Sequence, residues 1–305
     1  MSRHISVTKG HGTRNDFLLI DGRSPHPELT PELIAALCDR RSGIGADGII
    51  RLVSSVSEPD ATDSLAANPQ AKWFMDYRNA DGSIAQMCGN GVRVFAAFAQ
   101  HLNLWPDDDA PLAVATRAGV REVTRVADSP DWFRVDMGQW KLPGGETART
   151  KGSDAEVITP GLKGIRRALR VDMGNPHAVV ALGSPAELAT VDLAAEPAVS
   201  PLLPGGTNVE YVVPLGQFAT PEGQQAGRVR MRVHERGVGE TESCGTGACA
   251  AALAVYTWSS DASAPTDWVV EVPGGSLTVQ ITSERTYLSG PAVLTATAEV
   301  DLEAI

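Results

Sequence analysis

Two short segments hold the residues best suited to chemistry in this sequence. Met87-Cys88-Gly89-Asn90-Gly91 and Ser243-Cys244-Gly245-Thr246-Gly247 each set a cysteine before a glycine-spaced turn that opens an alanine-rich apolar stretch. A cysteine just ahead of a helix meets unpaired backbone N–H groups and the positive end of the helix dipole, which favour the thiolate and lower its pKa. The same helix end binds anions. Each segment therefore offers a proton carrier beside a carboxylate-sized socket, and two such segments can address one carbon from opposite faces. The pairing implies a racemase or epimerase.

The remaining polar residues divide into turns and candidates for substrate contact. Asn15, Asn79, Asn175 and Asn208 all lie in or beside turns, and Arg236 follows His234-Glu235. Any one asparagine there is accounted for by turn chemistry. Together with one arginine they suit a substrate carrying ammonium and carboxylate groups, because an amide donates and accepts without net charge. His177 and Glu235 could hold the two thiols in opposite protonation states. Cys38 and Cys249 lie within apolar helical patterns and read as small buried hydrophobes. The four cysteines are too few for a disulfide framework and lack paired metal-site spacing, so reduced thiols and no metal are expected. Gly43-Ile44-Gly45-Ala46-Asp47-Gly48 matches a dinucleotide fingerprint in letters, but it follows a helix and leads into a strand, the reverse of the required context.

These segments need elements to place them. The 305 residues can bury the core of two ordinary domains, and a hydrophobic content of 43% is that of a globular protein. A net charge of -11 with no basic cluster argues against nucleic acid or an acidic membrane as partner. No apolar run approaches the roughly 18 residues of a membrane span. Met1-Ser2-Arg3-His4 leads straight into alternating Ile5 and Val7, a strand pattern and not a secretion signal, so a cytoplasmic location is expected. Alternation predicts strands at Phe17–Ile20, Ile49–Val53, Trp73–Tyr77, Leu112–Thr116, Val120–Val126, Trp132–Met137, Ala168–Met173 and Ala178–Leu182. Further strands are expected at Asn208–Val213, Arg228–Val233, Trp268–Val272, Leu277–Ile281 and Leu294–Val300. Thr30 before Pro31 predicts a helix to Arg40. Val92–Leu104 and Thr246–Trp258 are apolar on nearly every face and belong in cores. Ser54–Gln70 has no periodicity and reads as a surface loop.

The two cysteine segments lie about half the chain apart, which points to a duplication. The expected fold is α+β with two similar, pseudo-symmetric domains, each a mostly antiparallel sheet rolled around a central helix. The domains are placed at 1–131 and 132–289, divided near Asp128-Ser129-Pro130-Asp131, with the strand in 290–305 returning to the first.

The order of motifs resembles that of the diaminopimelate epimerase family. It runs Gly12-Thr13-Arg14-Asn15-Asp16-Phe17, Asp39 to Gly48, Asn79-Ala80-Asp81-Gly82-Ser83, Cys88-Gly89-Asn90-Gly91 and Asp172-Met173-Gly174-Asn175-Pro176-His177. It continues through Gly206-Thr207-Asn208-Val209-Glu210 and Glu235 to Thr241, then Cys244-Gly245-Thr246-Gly247. Thr13-Arg14 replaces the usual Leu-Gly of the family. The resemblance implies epimerisation of LL-2,6-diaminopimelate to the meso form, in lysine and peptidoglycan precursor synthesis. Cys88 and Cys244 would be acid and base, and His177 and Glu235 would tune them. Gly89, Asn90, Gly245 and Thr246 would cradle the reacting carboxylate. Asn15, Asn79, Asn175, Asn208, Glu235 and Arg236 would hold the substrate in an interdomain cleft. A homodimer needing no cofactor and no metal is implied as well. A proline racemase would share the cysteines but not the asparagine set, and a phenazine-pathway isomerase would lack the cysteine pair. A cysteine hydrolase with His177 as base leaves the second cysteine segment unexplained, and a binding protein would not exchange an α-proton with solvent.

Overall fold

A computed structural model describes residues 4–106, 110–259 and 264–305. Met1–Arg3, where the start of the chain was read for a secretion signal, lie outside the described residues. The chain divides into two compact units, Met1–Val135 with Gly290–Ile305, and Asp136–Ser289.

In the first unit β1 (His4–Gly12) and β2 (Asn15–Asp21) form a hairpin. After α1 (Pro31–Cys38), β3 (Gly48–Ser54) pairs parallel with β2. Next come α2 (Thr62–Ala67) and β4 (Trp73–Asn79), which is antiparallel to β3. Beyond α3 (Gly89–His101), β5 (Leu112–Thr116) lies parallel to β4 and leads antiparallel into β6 (Gly119–Val126) and β7 (Ser129–Gln139). The second unit begins with α4 (Gly145–Lys151), then β8 (Ala155–Ile158), β9 (Arg166–Asp172) and β10 (Pro176–Ala181) pair antiparallel in succession. Past α5 (Pro185–Ala189) and the short β11 (Ala198–Ser200), β12 (Asn208–Ala219) runs parallel to β10. β13 (Gln225–Glu235) is antiparallel to β12 and turns back into β14 (Gly239–Thr241). After α6 (Gly245–Trp258), β15 (Asp267–Val272) is parallel to β13, and β16 (Gly275–Ile281) and β17 (Arg285–Pro291) follow antiparallel. β18 (Val293–Asp301) pairs antiparallel with β1.

The pairing senses repeat. Reading β18-β1-β2-β3-β4-β5-β6-β7 beside β8-β9-β10-β12-β13-β15-β16-β17 gives the same succession of parallel and antiparallel steps. The helix of the second parallel crossover is buried in each. α3 touches β1, β2, β3, β4, β6 and β18; α6 touches β9, β10, β12, β13, β15 and β16. A helix enclosed on this many sides keeps few polar residues and, where strands press close, small ones. Ala248, Ala250, Ala251, Ala252 and Ala254 of α6 are all fully buried. α3 instead fills its space with Val92, Val94, Phe95 and Phe98, at about 1.5–3 kcal/mol for each of these larger side chains removed from water.

Several expectations need correction. The first helix stops at Cys38, two residues short of Arg40, because Asp39 turns extended. The segment Ser54–Gln70 is no plain loop: it holds two short 3-10 turns and α2, with Ser55, Ala61 and Ser64 buried. Ser64 donates to the Thr116 carbonyl, so sparse small anchors replace the apolar stripe that periodicity detects. The region near Asp128 is the hairpin turn between β6 and β7, Asp128 taking a φ of 59°; the compact units divide close by, inside β7, and the first takes up the chain again at Gly290. Helix α3 starts at Gly89, not Val92, and encloses one charged side chain, Arg93. None of the described helices is long and apolar enough to cross a membrane.

The β1–β2 hairpin turns on Thr13 and Arg14, both left-handed with φ of 50° and 64°. Such two-residue turns favour Asn-Gly, since a Cβ in this region costs roughly 1–2 kcal/mol. Arg14→Gly should therefore stabilise the fold by about 0.5–1 kcal/mol after the extra unfolded-state entropy of glycine is offset. Arg14→Val should destabilise it, and thermal unfolding of the two variants would reveal the opposite shifts.

Candidate active site

Each cysteine is the N-cap of its buried helix. Cys88 has φ -139° and ψ 123°, Cys244 φ -123° and ψ 117°, and each sulfur accepts the N–H three residues on, from Gly91 at 3.4 Å and Gly247 at 3.3 Å. The space at these glycines is tight, more so at Gly247 than at Gly91. A Cβ on Gly91 would lie 3.1 Å from Ile50, and one on Gly247 would lie 2.8 Å from Glu210 Oε1 and 3.2 Å from its own capping sulfur.

Around Cys88 the first unit assembles a chain of amides. The thiol donates to Asn15 Oδ1 at 3.5 Å, which also accepts from Asn90 Nδ2 at 3.4 Å. Asn15 Nδ2 donates to Asp47 at 2.7 Å. Arg40 bridges Asp47 and Asp16, and Lys9 pairs with Asp16 at 2.8 Å. Burial opposes ionisation of Asp16, but hydrogen bonds from Arg40 and Lys9 outweigh it and hold the carboxyl at about 2. The glycine-rich segment 43–48 thus closes α1 and delivers Asp47 to Asn15. Behind the amides lies Arg93, fully buried, donating to Asn90 Oδ1 at 2.8 Å and the Gly89 carbonyl at 3.2 Å. Asn79, at the end of β4, donates its amide to Ser83 and closes its own turn. That turn is tied to the same segment by Ala80 N–H to the Asp47 carbonyl.

Around Cys244 the second unit builds a counterpart. The sulfur lies 3.5 Å from Thr246 Oγ1, which accepts from Asn175 Nδ2 at 3.4 Å. Asn175 Oδ1 lies 3.1 Å from His177 Nε2, and His177 Nδ1 is 2.7 Å from Glu210 Oε1. Histidine and glutamate are both fully buried, and Glu210 Oε2 has no hydrogen-bond partner among the described residues. Glu235 accepts from Thr241, and burial raises its carboxyl pKa. Burial above all pushes the Cys244 thiol well up, and the charges of Glu235 and Glu210 add to it against the Thr246 hydroxyl and Gly247 N–H. Asn208 donates to the Pro176 carbonyl and accepts from Arg236 N–H, so its amide ties two loops together. The Arg236 side chain is exposed and rests on the Gly205 carbonyl at 3.4 Å.

Within each unit the expected residues gather at the mouth of the central helix: Asn15, Gly89 and Asn90 with Cys88; Asn175, His177, Glu235, Gly245 and Thr246 with Cys244. Cys38 is fixed as a core residue, its thiol pushed to about 12, chiefly by burial. Arg93, Asp47 and Glu210 were given no role from sequence. A charge inside an apolar helix or strand was the available signal for Arg93 and Glu210. Among the described residues no three His, Cys, Asp or Glu side chains are grouped to hold a metal ion.

A duplicated α+β frame with one buried helix at the centre of each half defines the fold class. Solved structures share the frame: a phenazine biosynthesis protein of the PhzF family from Bacillus anthracis, at TM-score 0.63 and 14% identity over 98% of this chain and 99% of that one. A probable proline racemase from Agrobacterium radiobacter also gives TM-score 0.63 and 14% identity, over 97% and 92%. The sequence profile described as diaminopimelate epimerase matches residues 7–143 and 169–295. Diaminopimelate epimerase of Streptomyces coelicolor is 43% identical over 99% of this chain and 97% of its own length; that of Thermobifida fusca is 42% identical over 99% and 100%. The chain belongs to the diaminopimelate epimerase family.

The Asp16 cluster makes acid stability a test of how Asn15 is held. Because its carboxyl is depressed from 3.8 to about 2, the stabilisation is complete above pH 4 and is lost as pH falls toward 2. Asp16→Asn should therefore be less stable than the parent at pH 6 by urea unfolding, with the gap closing as pH drops from 4 to 2.

Proposed function

We propose that this chain epimerises LL-2,6-diaminopimelate to the meso form with Cys88 and Cys244 as the two proton carriers, in lysine and peptidoglycan precursor synthesis. The observation that carries the reading is the pair of capping thiols at equivalent places of a duplicated frame, in a chain of the diaminopimelate epimerase family. The units would face each other across the reacting carbon, with substrate in the cleft between them.

Inverting the α-carbon takes one thiolate and one thiol. Cys244, whose burial and acidic neighbours favour the protonated form, starts as the thiol, and Cys88 starts as the thiolate. The α-proton passes to the Cys88 sulfur, leaving its electron pair delocalised into the carboxylate. The proton of the Cys244 thiol then bonds to the opposite face of the carbon. The enzyme is left with a Cys88 thiol and a Cys244 thiolate, and proton exchange with water or the reverse reaction restores the starting state. Backbone N–H groups of Gly89, Asn90, Gly245 and Thr246 stabilise the charge on the carboxylate where water is excluded. Asn15, Asn79, Asn175, Asn208 and Glu235 line the substrate, and Arg236 grips the distal carboxylate as a planar fork. His177 and Glu235 adjust the Cys244 thiol. The enzyme acts as a cytoplasmic homodimer without cofactor or metal. A cysteine hydrolase would leave the second capping thiol without work.

Cys88→Ala and Cys244→Ala should each abolish epimerisation, by about 10³-fold or more, while retaining the parent's circular dichroism, although loss of the helix cap lowers the melting transition by the equivalent of about 0.5–2 kcal/mol. Wash-in of solvent deuterium at the α-carbon is the direct readout, and near-parental turnover by either variant would sink the two-thiol mechanism. Arg236→Lys keeps charge but loses the fork, so diaminopimelate turnover should fall by the equivalent of about 2–5 kcal/mol. If the lysine variant matched the parent in kcat/KM, distal recognition by Arg236 would be wrong.

A further inference from the structure

The duplication makes the differences between the two half-sites readable position by position. Phe17 pairs with Gly48 where His177 pairs with Asn208, so Phe17 corresponds to His177. Two residues further along the partner strands, Ile50 corresponds to Glu210. The helix contacts agree independently, since Ile50 is what a Cβ on Gly91 would strike and Glu210 Oε1 is what a Cβ on Gly247 would strike. Counting five residues from each capping cysteine sets Arg93 against Cys249. The frame is therefore duplicated, and its buried charges are not. The first half carries a guanidinium, Arg93, where the second has a thiol; the second carries a carboxyl group, Glu210, paired with His177, where the first has a hydrocarbon. All four side chains are buried to 0% exposure.

Each charge reaches its thiol through an unbroken run of polar contacts. From Arg93 the run passes at 2.8 Å to Asn90 and at 3.4 Å to Asn15 Oδ1, which also accepts from the Cys88 thiol at 3.5 Å, a contact that Cys88 gives up on ionising while the buried guanidinium charge remains. From Glu210 it passes through His177, Asn175 and Thr246 to the Cys244 sulfur, at 2.7, 3.1, 3.4 and 3.5 Å. We propose that Arg93 and Glu210 are positioning residues that assign the two thiols opposite resting states, Arg93 favouring thiolate at Cys88 and Glu210 favouring thiol at Cys244. This deepens the two-thiol reading above and rests on it.

Other charged groups stand near both thiols. Asp47 meets Asn15, with Arg40, Asp16 and Lys9 behind it; on the other side Glu235 adds a second acid beside Cys244, and His177 is titratable. Arg93 lies in α3 one turn from its cap and Glu210 packs against Gly247 of α6, both where a buried charge is weakly screened, and Glu235 adds to the effect of Glu210 on Cys244 as the larger of the two. The arrangement lets one duplicated scaffold do two jobs: the same helix cap supplies a base in one half and an acid in the other.

The test reads both thiols in the full-length protein by iodoacetamide labelling at pH 8, with Cys88 and Cys244 peptides quantified separately by mass spectrometry. Arg93→Met should slow labelling of Cys88 by about tenfold, and Glu210→Gln should speed labelling of Cys244 by about tenfold, the equivalent of about one pKa unit each. Arg93→Lys, which keeps the charge, should restore most of the Cys88 rate. Loss of packing alone would speed labelling at both sites in both variants, and that pattern would overturn the proposal. So would an unchanged Cys244 rate in Glu210→Gln, which would mean that Glu210 and His177 act on that thiol as a neutral pair. If Arg93→Met does not fold, the Arg93→Lys and Glu210→Gln arms still decide. Parent protein that fails to wash deuterium into diaminopimelate would count against the function itself, whereas normal wash-in with unmoved thiol reactivity would count against the roles of Arg93 and Glu210 alone.

Discussion

A helix buried on every side must still dispose of the N–H groups of its first turn, and that requirement organises both halves of this chain. In each, a cysteine sulfur takes one of those donors while the remaining amides at the same end are left for an anion. The strand pairings, the glycines of the first turn and the small or apolar helix residues can all be understood as what it takes to bring that polar terminus to the edge of a dry core. A larger residue at Gly91 or Gly247 would push the turn off Ile50 or Glu210 and disturb the cap.

Duplication explains why each unit has a capping thiol, and divergence explains how the surroundings of the two can differ. The pairing pattern is shared from β18 to β7 and from β8 to β17, yet positions packed under the two helices have drifted to Phe17 and Ile50 in one unit and His177 and Glu210 in the other. Conserving the frame costs nothing in specialisation, because the residues that set electrostatics are few and lie behind the cap. Surface ion pairs such as Arg230 with Glu271 contribute little to this, being largely solvated.

Most of the frame was legible because strands with one face on a core alternate and two helices are apolar on nearly every face. Leu112–Thr116 was read to the residue, and Thr30 and Pro31 marked the start of α1. Elements held by few or local contacts were not legible: β8, β11, β14, β17, α4 and α5 are short or carry mixed polarity, as in Gly239–Thr241 or Arg285–Pro291. The capping cysteines and their amide neighbours were visible because their types recur in a repeated spacing. The groups behind them were harder to read, because the significance of Arg93 and Glu210 is tertiary: neither local propensity nor periodicity says which carboxylate or guanidinium will end under a helix. The fate of asparagines was also undecidable locally. Asn79 closes its own turn whereas Asn15, in a similar setting, turns to a thiol.

The first unit is sewn shut by the end of the chain, His4 lying opposite Asp301 and Ile5 opposite Val300. During synthesis its first strand therefore waits, with that edge unpaired, until β18 has been made. The second unit is contiguous from Asp136 to Ser289 and is fully translated before β18 exists. Vectorial folding thus runs opposite to the usual order, with the later unit able to finish first while the earlier one keeps an open edge strand through translation. That exposed edge is the point at which a nascent chain would need shielding from its neighbours on a polysome. Loss of β18 would leave the same edge open permanently.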